Sequence, residues 1–97
     1  MPAYIIALVN VTNAEKYQAY AKRAGAANAK YKSRFLVRGG KKHKLEGDIP
    51  FERIVVTEFA DVETAKKFYH SPEYREARKH RLGAAEFHMI IVEGAQP

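Results

Sequence analysis

Three stretches of this chain are apolar at consecutive positions, and that pattern narrows the possible folds more than any other feature. In residues 3–11 (AYIIALVNV), Ile5, Ala7 and Val9 point one way and Tyr4, Ile6 and Leu8 the other, because strand side chains alternate. Residues 52–59 (ERIVVTEF) set Val55 and Phe59 against Ile54 and Val56, and residues 86–93 (EFHMIIVE) set Phe87, Met89 and Ile91 against Ile90 and Val92. A sheet with one wet face alternates apolar with polar residues. Here both faces require cover.

The intervening segments supply part of it. Thr12 and Glu15 have capping-box spacing, which predicts a helix running to about Lys32 with Tyr17, Tyr20, Ala24, Asn28 and Tyr31 along its inner side. Arg34 to Arg38 reads as a second strand, Gly39-Gly40 permits a bulge or bend, and Lys41 to Leu45 extends the strand. Glu46-Gly47-Asp48 marks a turn before Pro50. Asp61 caps a second helix with Val62, Ala65, Phe68 and Tyr69 on its apolar side. Ser71-Pro72 restarts that helix, which carries Tyr74, Ala77 and Arg81 to a stop at Gly83. The order is βαββαβ. It predicts one α+β domain over 1–97: a four-stranded antiparallel sheet with both helices on one face. A domain of this length has a thin core. The uncovered face would be an apolar patch larger than monomers tolerate, so the expected partner is a second copy packed sheet to sheet, a homodimer.

Composition limits the function classes. The chain has no cysteine, which removes disulfides, thiolate metal sites and thiol nucleophiles. No apolar run approaches a membrane span, and MPAYIIALVN lacks the basic start of a secretory signal, so a cytoplasmic location is expected. Seventeen Lys and Arg against eleven Asp and Glu give +6, with ten basic residues and no acidic one between Lys16 and Leu45. That run raises nucleic acid as a partner. Its charges lie on a helix flank and a loop, without an RNA-binding aromatic signature or a helix-turn-helix, so solvated charge is preferred.

The run Arg38-Gly39-Gly40, then Leu45-Glu46-Gly47, Arg53 with Val55-Val56 and Glu58-Phe59, Phe68-Tyr69, Ser71-Pro72-Glu73-Tyr74, Arg81 and Glu93-Gly94 resembles the domain-of-unknown-function 1330 family. The resemblance covers nearly the whole chain in order. It implies a place in the dimeric α+β barrel superfamily, with ferredoxin-like subunits paired through their sheets. Phe68 stands where the family often carries Trp, which would alter the shape of a pocket. That superfamily includes haem-degrading and quinone-forming monooxygenases, muconolactone-type isomerases and ligand-sensing domains. Fold likeness at that level transfers no reaction.

Polar residues set among strand apolars are the first site candidates: Arg38, Arg53, Glu58 and His88. Buried ions must be paired or serve a ligand. The structural reading pairs Arg53 with Glu58 or Arg38 with Glu46, whereas the functional reading has Arg38 or Arg53 fork onto a small anion. Tyr69, Tyr74 and Arg81 join them as ligand-binding candidates, because the helix tyrosines could line an aromatic pocket against the sheet. His43, His70, His80 and His88 lack zinc spacing, and no metal or cofactor is expected. A haem needs only one axial imidazole, which keeps His70, His80 and His88 in view, and an inward His88 could act as a base. Together these features predict a small-molecule-binding homodimer, conceivable as a cofactor-free enzyme on an anionic or aromatic compound. The alternative is a structural or protein-binding dimer module.

Overall fold

The computed structural model describes residues 1–95 and runs β1 (Ala3–Val11), α1 (Ala14–Lys30), β2 (Arg34–Arg38), β3 (Arg53–Phe59), α2 (Val62–Tyr69), α3 (Pro72–Lys79) and β4 (Ala85–Glu93). The expected domain limit at 97 takes in Gln96 and Pro97, which lie outside the described residues. The strands form one antiparallel sheet in the order β2-β3-β1-β4, the ferredoxin-like α+β arrangement. Ile5 and Phe59 pack beneath Tyr20, Ala24 and Ala27 of α1, Ala65 and Phe68 of α2, and Tyr74 and Ala77 of α3. These buried aromatic and aliphatic side chains make one core on one side of the sheet.

Pairing registers define the opposite face. Val37, Val56, Ile6 and Ile90 stand side by side across all four strands. To one side runs the row Arg34, Glu58, Tyr4 and Val92, and to the other Ile54, Leu8 and His88. No described helix covers this face: Val37 is 42% exposed and Ile90 60%. The strand pattern therefore predicts the sheet correctly, with one apolar face on the helices and another in the open.

Three local expectations are corrected. The N-cap of α1 is Asn13 rather than Thr12; its side chain accepts from the Lys16 N–H at 3.1 Å. Thr12 instead donates its N–H to the Ala84 carbonyl, prolonging the strand geometry by one residue, and Asn caps at least as well as Thr. Lys41 to Leu45 extends no strand. Gly39, at φ +73°, turns the chain after its N–H bonds the Ile54 carbonyl, and the residues to Glu52 form a loop pinned by Asn10, which bonds Pro50 and Glu52. The bend expected at Gly39-Gly40 is present at Gly39, and a separate irregularity lies between Phe35 and Val37. Lastly, α3 stops at Lys79, and Arg81 sits in a turn closed by Gly83 at φ +74°. The caps at Asp61 and Ser71 are as expected.

Candidate functional site

The cleft begins with small residues. Ala7 on β1 faces Ala21 and Ala24 on α1, while Val55 and Thr57 of β3 floor the adjoining strip, so helix and sheet separate where larger side chains would have filled the space. Tyr17, Tyr20, Phe68, Tyr74, Phe87 and Met89 wall it. The enclosed part of the cleft is narrow, about 50 Å³, room for a few waters or a small polar head group, and the cleft opens from there to solvent.

Two arginines enter this cleft. Arg53 faces the helices with Val55 and Phe59, two and six residues along the same strand. Arg38 reaches the same face because of the irregularity at Leu36: Phe35 pairs with Thr57 and Arg38 with Val55, so residues three apart share a face that an unbroken strand would deny them. The Arg38 guanidinium carbon lies 4.1 Å from the Phe35 ring centre, and an Nη stands 3.5 Å from where a Cβ would lie on Gly25 of α1. The Arg53 guanidinium sits 5.5 Å from the centre of the Tyr17 ring. It also occupies the space beside Gly39, where any Cβ would collide with it. Glycine at 39 suits its positive φ, and a Cβ there would also push the Arg53 guanidinium from its place.

Neither arginine has a carboxylate within ion-pair distance among the described residues. The Nε–H of Arg53 is buried and has no hydrogen-bond partner. Leaving such a donor unsatisfied costs about 1–3 kcal/mol, more for a charged group. Both expected pairs are therefore corrected. Glu58 lies on the open face, where it accepts from Arg34 at 3.0 Å and from the Tyr4 hydroxyl at 3.4 Å. Glu46 forms no ion pair with Arg38; it belongs to the exposed loop.

Deeper in, the Tyr20 and Tyr74 hydroxyl oxygens are 2.6 Å apart, and Arg81 donates an Nη1–H to the Tyr74 oxygen at 3.1 Å. The turn after α3 folds Arg81 over Phe87, 4.2 Å from its ring centre. Burial, reinforced by its neighbour Tyr74, raises the Tyr20 pKa far above the usual tyrosine value. Burial also raises that of Tyr74, against the opposing pull of Arg81. Both hydroxyls therefore keep their protons.

The predicted candidates divide. Arg38, Arg53 and Tyr74 line the cleft, with Arg81 behind Tyr74. Tyr69 does not line it: it packs on Tyr74 and beneath Arg78, and it borders an open furrow of about 350 Å³ along β4 with Lys66 and His70. The furrow is roomier but brings together no opposed charges or orphaned donors. His88 points away, beside Phe51 and 3.4 Å from Glu86, so it is no inward base. His70 and His80 cap α2 and α3. Among the described residues no histidine, aspartate or glutamate lines the cleft, so a haem there would meet no axial imidazole from them. Among the described residues no three His, Asp or Glu gather as metal ligands. Of the walls, Tyr17, Tyr20, Phe68 and Tyr74 are where the helix tyrosine pattern expects an aromatic pocket, whereas Phe35 and Phe87 were missed. Their spacing matches ordinary core, and only the small residues opposite make them line a space.

The family described as Domain of unknown function (DUF1330) matches residues 2–95. No curated protein is significantly similar. A solved protein of unknown function from Rhodopseudomonas palustris superposes with a TM-score of 0.78 at 24% identity, over 99% of this chain and 84% of its own. SnoaB, a cofactor-independent oxygenase from Streptomyces nogalater, gives 0.63 at 11% identity, over 99% and 95%. A dimeric protein of unknown function with a ferredoxin-like fold from Bacteroides fragilis gives 0.58 at 16%, over 96% of each chain.

Proposed function

Since the chain belongs to the DUF1330 family, whose description assigns no activity, its function has to be argued from its own cleft, and we propose that it is a homodimer binding a small organic anion there. The observation that carries this reading is the Arg53 guanidinium: charged, without an ion-pair partner among the described residues, its buried Nε–H meeting no acceptor among them, and sharing its cleft with Arg38. A carboxylate accepts forked hydrogen bonds from guanidinium groups, and its short apolar body would lie along Val55, Ala7 and Phe87. The lining offers cations and donors but no imidazole or carboxylate to take a proton, which favours binding over acid–base chemistry. The fold shared with an oxygenase at 11% identity adds no reaction. Against a purely structural dimer module stands the cost of keeping that guanidinium unpaired. The second copy is proposed from the row Val37, Val56, Ile6 and Ile90, which needs cover, and the dimeric relative of like fold is consistent with it.

Thermal unfolding with straight-chain carboxylic acids of four to seven carbons tests the ligand. An acid at ten times its Kd adds about 1.4 kcal/mol, a rise of several degrees in Tm. The rise is expected in the native protein and absent from Arg53→Gln and Arg38→Gln. Equal rises in all three proteins, or none in the native one, would remove the site.

A further inference from the structure

Resting on the reading of the cleft as an anion site, we infer that Tyr20 is its specificity-determining hydrogen-bond donor, so that the preferred ligands are small carboxylic acids carrying a second oxygen acceptor, such as a keto group, away from the carboxylate. Arg81 can only donate, so the Tyr74 oxygen is an acceptor in the 3.1 Å bond between them. Tyr74 then has one hydrogen of its own and two possible acceptors: the Tyr20 oxygen at 2.6 Å, or the Met89 sulfur at 3.6 Å. Sulfur is the weaker acceptor.

Two arrangements follow. In one, Tyr20 donates to Tyr74 and Tyr74 to sulfur. In the other, Tyr74 donates to Tyr20, whose own hydrogen then has no protein acceptor among the described residues, while Tyr20 lines the cleft. An oxygen in the cleft selects the second arrangement, exchanging a poor O–H···S bond for an O–H···O bond. It completes a chain from Arg81 through Tyr74 and Tyr20 to the ligand, in which each bond polarises the next. An apolar ligand end gains nothing from the switch. Arg81 itself is held away by Phe87 and Met89, so its charge reaches the ligand only through the two hydroxyls.

Isothermal titration of matched acid pairs, four to seven carbons long, with and without one keto oxygen, tests this. In the native protein a keto acid is expected to bind at least about fivefold tighter than its parent, the worth of one net hydrogen bond. In Tyr20→Phe, which keeps the ring against Tyr17 and Phe87, the two members of each pair should bind equally. Because the readout is a ratio within one protein, lost stability alone does not move it. Equal binding of both members to the native protein, or a preference that survives in Tyr20→Phe, overturns the inference and leaves the anion site standing. Failure of every acid to bind overturns both.

Discussion

A Val56→Asp variant is expected to sediment as an 11.0 kDa monomer at micromolar concentrations where the native chain sediments at twice that mass. Val56 lies between Val37 and Ile6 at the middle of the open sheet face, so a second sheet packed there would bury it completely. A two-fold interface presents each substitution twice, placing two carboxylates in an apolar seam with no cation designed to meet them. Desolvating such groups costs several kcal/mol. A total of about 4 kcal/mol raises the dissociation constant roughly a thousandfold. Lys67→Asp, on an exposed position of α2, should leave the mass of the dimer unchanged. A native chain that sediments as a monomer, or a Val56→Asp variant that remains dimeric, contradicts the sheet-to-sheet assignment.

The second large effect belongs to the helix side. Phe59, 2% exposed, closes the sheet end of the core against Phe68, with ring centres 5.2 Å apart. Phe59→Ala removes a buried ring from a site walled by secondary structure on both sides, which limits collapse into the void. A loss of about 3–5 kcal/mol is expected, a large share of the stability of a small domain. Urea denaturation at matched protomer concentration measures it, since a dimer's midpoint shifts with concentration. A loss below about 1 kcal/mol would mean that the core is not anchored there.

How far the sequence could be read depended on whether strand parity held. β1, β3 and β4 are continuous, so their two apolar faces followed from alternation alone. Parity also bears on the Arg53 and Glu58 pairing: five residues apart on one strand, they must face opposite ways, and the structure places them so. Arg38 was different. Its face depends on one extra residue at Leu36, and nothing in RFLVR distinguishes a bulged strand from a regular one. Arg81 was placed on a helix, but α3 ends two residues earlier and a turn swings the guanidinium back to Tyr74. The helix tyrosines mark an aromatic space against the sheet, but what holds that space open is hidden for a third reason. Ala7, Ala21 and Ala24 look like ordinary core residues, and only their meeting across the helix and sheet leaves space.

If the orphaned Arg53 donor serves a ligand's anion, the Nε–H resonance of Arg53 reports on it directly. In ¹⁵N-labelled protein titrated with millimolar pentanoate, that proton is expected to move downfield and exchange more slowly with water, as a hydrogen bond to carboxylate requires. The Nε–H of Arg78, packed over Tyr69 outside the cleft, should stay in place. An Arg53 signal that remains unmoved across the acid series, or that shifts no more than Arg78, would contradict the account.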